Sequence, residues 1–250
     1  MSVEGDSKRV VAVIQARMGS SRLPGKVLMG LGGRPVLEWV IRAARAASNV
    51  DDVIVATSDQ AVDEPIVEFC ARSGTRVVRG DEQDVLSRFI VALDSSDADA
   101  IVRLTSDCPL LDPDLIDLVV EMWRRDPTLD YVSTTLERSL PRGLDVELAS
   151  AAALRAADDR TAPGHHRTHV TSSLYADGSE YSCAGVHFRP AFNRYRVTLD
   201  EAADAEVLRR LVGILGDRPP SWREITSTLL LHPEIVSINQ HVEQKLLIEG

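Results

Sequence analysis

Hydrophobic positions follow two alternating periods along most of this chain. Val10-Val11-Ala12-Val13-Ile14 is an unbroken, mostly β-branched run, the mark of a strand covered on both faces. Pro35 to Ala47 opens with Pro and carries Val36, Leu37, Val40 and Ile41 at helical spacing, which predicts a helix. Val53–Thr57 reads as a second strand, 61–72 as a helix, Thr75–Val78 as a short strand and Asp84–Leu93 as a helix. Ala100–Leu104 predicts another strand and Asp114–Arg124 another helix. Strands alternating with helices in this way predict an α/β fold, a mostly parallel Rossmann-like sheet with helices on both faces.

The rhythm changes near residue 130. Asp130–Ser133, Leu144–Leu148, Tyr181–Phe188 and Tyr195–Leu199 predict shorter strands, and Ala149–Ala157 a helix. Residues 201–214 predict an amphipathic helix with Val207, Leu208, Leu211 and Ile214 on one side. Pro and Gly fall at element ends, with no linker and no repeat. The expected organisation is a polar, frayed terminus over 1–8 and one domain over 9–250, with a smaller β-rich subregion over 130–188.

The chemistry begins where the first strand ends. Gln15–Lys26 carries Arg17, Arg22 and Lys26 interleaved with Gly19, Ser20, Ser21 and Gly25. In an open α/β sheet, ligands bind outside the carboxyl ends of the strands. Exposed N–H groups and cations at that place suit a polyphosphate. The spacing is neither GxxxxGK[ST] nor GxGxxG, and the plainer alternative is a solvated turn. Ser106 and Asp107 follow the 100–104 strand, and Asp200 follows the 195–199 strand. Two carboxylates plus phosphate oxygens make a Mg²⁺ site, because Mg²⁺ prefers hard oxygen ligands and keeps several waters. The alternatives are a helix cap or turn aspartate before Pro109 for Asp107, and a helix N-cap for Asp200. His165, His166 and His169 cluster, but a zinc site needs further ligands that the sequence does not supply.

The net charge of −10 over 250 residues argues against general nucleic-acid binding, and an acidic protein that binds an anion must gather its cations locally. No stretch is long and apolar enough to cross a bilayer, and 1–8 lacks the apolar core of a signal peptide. Cys70, Cys108 and Cys183 are scattered without a CxxC, which fits a reduced cytoplasmic protein.

Ile14–Leu28, Ser106–Pro113 and Thr198–Leu208 together resemble the cytidylyltransferases that activate sugar acids, such as the CMP-Kdo and CMP-sialic acid synthetases. The branch most similar is that of the spore-coat polysaccharide biosynthesis protein F. Further matches are Arg79-Gly80 with Asp84–Phe89, Gly143–Glu147 and Arg167–Thr171. The resemblance implies a GT-A-like nucleotidyltransferase sheet that takes CTP and Mg²⁺ and transfers CMP to an acidic acceptor, such as a sugar acid or a phosphonate. It implies that Arg17 and Lys26 hold the triphosphate and stabilise departing pyrophosphate, assisted by Arg22 and the Gly19–Ser21 backbone. Gln15, Ala16 and Ser106 complete the nucleotide set, and Arg79 places cytosine or ribose. Asp107 and Asp200 would hold the metal. The resemblance also implies a homodimer, with 130–188 as acceptor and contact region.

Arg167 and His169 are acceptor candidates. Asp145 and Glu147 alternate on a strand; they could touch the acceptor, extend the metal site or face water. Two departures from the branch bear on the acceptor: Arg142 stands where an acidic residue is usual before Gly143, and Thr168 where Glu is usual. Two competing readings are a metal-dependent glycosyltransferase and a non-catalytic nucleotide binder.

Overall fold

Val10–Gln15 (β1) lies at the centre of the sheet, and its side chains sort by parity. Val10, Ala12 and Ile14 enter one apolar cluster while Val11 and Val13 enter the other, all fully buried. Each of the valines and Ile14 contributes about 1.5–3 kcal/mol by leaving water. The computed structural model describes residues 8–160 and 164–244. Most of the terminus expected to fray lies outside these residues, while Lys8 is within them and its ammonium donates to Asp99 at 3.0 Å.

The chain continues through two short strands, Gly30–Leu31 (β2) and Arg34–Pro35 (β3), into helix Val36–Ala46 (α1). Next come Asp52–Ser58 (β4), Glu64–Arg72 (α2), Arg76–Gly80 (β5), Val85–Asp94 (α3), Ala100–Thr105 (β6) and Pro113–Arg125 (α4). The second half holds Tyr131–Ser133 (β7), Glu147–Ser150 (β8), Ala151–Arg160 (α5), His165–Thr168 (α6) and Cys183–Gly185 (β9). Helices Ala202–Leu215 (α7), Trp222–Leu231 (α8) and Pro233–Asn239 (α9) follow. The seven-stranded sheet runs β5-β4-β1-β6-β8-β7-β9. β5, β4, β1 and β6 are mutually parallel, β8 runs antiparallel to both β6 and β7, and β9 is parallel to β7.

This order creates the crevice that matters. β1 has β4 on one side and β6 on the other, so the connections from its neighbourhood leave in opposite directions above the Gln15–Thr105 pair. α3 and α5 cover one face of the sheet, and α1, α4, α7 and α8 the other.

Three expected strands are altered. Within Leu144–Leu148 only the end joins the ladder, because Thr134 takes up the groups before it: its N–H donates to Val146 O at 3.0 Å, and its hydroxyl accepts from Val146 N at 3.0 Å. Tyr195–Leu199 is extended but not a ladder strand. The place beside β6 is occupied by β8, and this segment instead bridges to Arg142 and to the backbone of Asp107. The helix expected from Ala149 begins at Ala151, and Tyr181–Phe188 reduces to β9. Trp222 falls in a helical pattern, which α8 bears out, whereas α9 was not anticipated.

Candidate active site

The loop after β1 is built by its own backbone. Ala16 N still donates to Ala56 O at 3.0 Å, after which the chain leaves the sheet. Met18 N donates to Asp63 at 2.6 Å; this carboxylate is 1% exposed and also accepts from the Ser58 N–H and hydroxyl. Met18 O accepts from Ser20 N and from Gly25 N, both at 3.0 Å. Gly25 has φ 70°, a conformation that glycine takes without strain, and it turns the chain into a short 3-10 turn at Lys26–Leu28. Ser20 Oγ accepts from Leu23 N at 3.3 Å. Arg17, Gly19 and Ser21 are left exposed on the outer side of the loop.

Lys26 points the other way. Its ammonium donates to Asp107 at 2.9 Å, to Asp200 at 2.8 Å and to Leu199 O at 2.7 Å. Asp107 O accepts from Leu199 N at 2.8 Å and from the Thr198 hydroxyl at 3.1 Å, which sets the two aspartates side by side. Asp107 also accepts from the Thr105 hydroxyl at 2.6 Å. Arg22 and Arg196 both reach Asp200, at 2.9 and 2.6 Å, and Arg196 is held in turn by Asp204 at 2.9 Å. Ser106 N donates to Gln15 O at 3.1 Å, joining the two strand ends.

Neither aspartate serves as a helix cap. Asp112 caps α4, and α7 is capped by Glu201 in a capping box with Asp204. The electrostatics follow from this packing. Burial alone would depress the Lys26 ammonium, but Asp107 and Asp200 outweigh it and hold its pKa above the ordinary value. Burial alone would raise Asp200, but Lys26, Arg196 and Arg22 bring it down to about 2. Asp107 is likewise lowered by Lys26 against burial and against the nearby charge of Asp200.

The donor set fits a hard divalent cation. Two hard oxygen ligands converge on one cation, and among the described residues no three His, Cys, Asp or Glu are arranged as a metal cage. Mg²⁺ suits such a half-site because it draws its remaining ligands from water and phosphate.

The other half of the crevice is set by residues the sequence placed there and by others it did not. Asp145 is gripped by both guanidinium nitrogens of Arg138, at 2.6 and 2.8 Å. Glu147 is 8% exposed and pairs with Arg103 at 2.8 Å, directly across the β6–β8 ladder. Arg103 Nε also donates to the Gln15 side chain at 3.0 Å, which turns Gln15 toward this half. The Thr171 hydroxyl donates to Glu147, two residues beyond His169. The structure does not bring Arg167 into the crevice. That guanidinium pairs with Asp84 and Asp158, both at 2.6 Å, where α6 lies against α3. Arg79 stands at the β4–β5 end of the rim, donating to Ser58 O at 3.1 Å and to Glu64 at 2.8 Å.

Sequence reasoning missed Asp63, Arg103, Arg138 and Arg196. Asp63 falls within the helix expected over 61–72, and Arg103 within the strand expected over Ala100–Leu104, with no local signal to set either apart. Only Arg196 carried a local signal, four residues before Asp200.

The comparisons with known proteins bear on this geometry. The family model for cytidylyltransferases matches residues 11–214, a span that holds the whole crevice. The chain belongs to the cytidylyltransferase family. It is 31% identical over 238 residues to the Bacillus subtilis spore coat polysaccharide biosynthesis protein SpsF, covering 90% of this chain and 95% of that one. A cytidylyltransferase structure from Leptospira borgpetersenii superposes with TM-score 0.88 at 25% identity, covering 96% of this chain and 99% of the other. A CMP:2-keto-3-deoxy-manno-octonic acid synthetase complexed with CTP shares the fold, with TM-score 0.62 at 20% identity and coverage of 83% and 99%. This cytidylyltransferase therefore performs CTP-dependent nucleotidyl transfer, which sets aside the glycosyltransferase and the non-catalytic binder. Among the described residues no helix is long and apolar enough to cross a membrane.

Proposed function

We propose that this cytidylyltransferase transfers CMP from CTP to a small acidic acceptor and releases pyrophosphate. The observation that carries the reading is Lys26 binding Asp107 and Asp200 together, at the end of a loop whose Arg22 also reaches Asp200 and whose Arg17 is exposed. An acceptor oxygen forms the bond to the α-phosphorus and gives up its proton to water. The bond to the bridging oxygen breaks, and its electron pair leaves with pyrophosphate. Transfers of this kind depend on positioning and charge stabilisation more than on covalent help from protein.

Asp107 and Asp200 are the residues that would hold Mg²⁺, and Mg²⁺ bound there would neutralise charge on the α-phosphate and orient the acceptor oxygen. In the protein alone, the Lys26 ammonium balances the two carboxylates. With those carboxylates taken up by a metal, the Lys26 ammonium would be free to hold the phosphate chain, beside Arg17 and Arg22. The exposed backbone around Gly19 approaches the phosphates, Ser106 and Arg79 line the nucleoside side, and Asp145 and His169 stand on the acceptor side. The enzyme works as a homodimer in the cytoplasm, where its three free cysteines stay reduced. Light scattering checks the dimer.

Thermal stabilisation by CTP, UTP, ATP and GTP, each with and without Mg²⁺, tests the nucleotide. A ligand at 100 times its Kd adds about 2.7 kcal/mol. CTP-selective stabilisation strengthened by Mg²⁺ is expected, and preference for another nucleotide would sink the reading. Pyrophosphate release on adding 2-keto-3-deoxy-manno-octonic acid or a hydroxylated phosphonate, absent with neutral sugars, tests the acceptor class.

A further inference from the structure

We propose that Arg142 recognises the anionic group of the acceptor and so determines that an acid rather than a neutral hydroxyl compound receives the cytidylyl group. The inference deepens the function proposed above and rests on it. Its basis is the distribution of charge around the crevice. Lys26 is matched by Asp107 and Asp200, Arg22 by Asp200 and Glu201, and Arg196 by Asp200 and Asp204. Arg138 is matched by Asp145, and Arg103 by Glu147. Arg142 stands among these groups, half-buried, and its guanidinium has no hydrogen bond or ion pair among the described residues.

The backbone of Arg142 is fixed. Its N–H donates to Tyr195 O at 3.0 Å, and its carbonyl accepts from Val197 N at 2.7 Å. Gly143 has φ 104° and lies so close to the 197–198 backbone that a Cβ would meet Thr198 N at 2.6 Å. This anchors Arg142 to the same segment that ends in Asp200. The charged groups nearest in effect to the guanidinium are Arg138, Asp145 and Arg196, on both sides of the crevice. Burial and the repulsion of Arg138 disfavour its charge more than Asp145 favours it. A partly desolvated cation with no partner is costly in the empty protein and becomes favourable when an anion arrives. The planar guanidinium fork matches two oxygens of a carboxylate or phosphonate. With the Arg138–Asp145 and Arg103–Glu147 pairs neutral, one surplus positive charge remains on this side, which suits one anionic group.

The test is calorimetric binding to wild type, Arg142→Gln and Arg142→Lys, each saturated with Mg²⁺ and a CTP analogue that cannot be cleaved between the α- and β-phosphates. The probes are 2-keto-3-deoxy-manno-octonic acid as the carboxylate, methylphosphonate as the phosphonate, and glycerol as the neutral control. Wild type is expected to bind at least one acid in preference to glycerol. Arg142→Gln is expected to weaken that binding about 10- to 100-fold, the loss of a charge-assisted contact, with Arg142→Lys recovering part of it. The analogue itself should bind all three proteins alike, which also shows that the variants are folded. Acid binding unchanged in Arg142→Gln, or no preference for acids in wild type, overturns the inference while leaving the nucleotide site intact. Failure of wild type to bind the analogue overturns the proposed function and this inference with it.

Discussion

Lys26 and Asp107 are 81 residues apart in sequence and 2.9 Å apart in the structure. The same ammonium reaches Asp200 across 174 residues at 2.8 Å. One cation thus joins the first loop, the end of β6 and the segment before α7.

That junction predicts two separable defects. Lys26→Ala should lower turnover about 10²- to 10³-fold, the usual consequence of removing one donor to developing charge. Its Mg²⁺ titration should not move to higher concentration, because both carboxylates remain. Asp107→Asn should move the Mg²⁺ titration to markedly higher concentration. Initial rates of pyrophosphate release against Mg²⁺ check both; wild-type turnover in Lys26→Ala, or an unshifted titration in Asp107→Asn, would refute the assignments.

The Arg103–Glu147 pair should behave as structure rather than as solvated charge. Its side chains are 11% and 10% exposed, and Glu147 holds Arg103 fully charged against burial. Glu147→Gln leaves a buried guanidinium without its counter-charge and should cost about 3–5 kcal/mol. For a chain of this length each kcal/mol lowers Tm by about 2–4 °C. Adding Arg103→Met should recover part of the loss. Urea titrations of the single and double variants give the answer, and additive losses would show that the pair is not coupled.

Gly143→Ala should harm both stability and catalysis. A side chain is strained at φ 104°, at about 1–3 kcal/mol, and the added carbon would push on the backbone of Val197 and Thr198. Since Thr198 and Leu199 hold Asp107 O, the displacement reaches the carboxylates. The expected result is a lower Tm together with a raised Mg²⁺ requirement, and a fall in Tm alone would disconnect Gly143 from the site.

The cysteines offer a pH-dependent check on the fold. Burial raises the Cys70 thiol to about 11, with Arg45 pulling slightly the other way, and Cys108 is also held well above its ordinary value. Cys183 is exposed. At pH 8 one thiol should react quickly with a disulfide reagent and two more only after denaturation. These thiols ionise more readily in the unfolded chain. Their neutral burial therefore supports the fold fully below about pH 9, and that support is lost as pH rises toward 11. Three fast thiols at pH 8 would contradict the packing around Cys70 and Cys108.

Local patterning made the parallel half of the fold legible. The buried run of β1, the helical spacing of α1 and α4 and the amphipathic α7 state their conformation within a few turns of chain. The loop of Arg17, Arg22 and Lys26 was visible as a phosphate candidate because glycines and cations recur at the end of a strand. The helical pattern around Trp222 was legible too, and Ser221 and Glu224 form a capping box at the start of α8.

What only the tertiary structure decided is which charge meets which. Asp107 reads as a cap, a turn residue or a ligand and Asp200 as a cap or a ligand, and only the hydrogen bonds from Thr198 and Leu199 to the backbone of Asp107 set the two carboxylates side by side. Arg167 sat in a matching motif, yet Asp84 and Asp158 hold it at α3 and α5. Glu147 was an open choice among acceptor, metal and water, and the antiparallel register of β8 against β6 set it across from Arg103. Hydrophobic periodicity is a short-range property, so the chain alone determined the four parallel strands β1, β4, β5 and β6, the helices between them, α7 and the first loop. Ion pairs between residues scores of positions apart exist only once sheet order and register bring the strand ends together, and that order is settled by packing of the whole sheet.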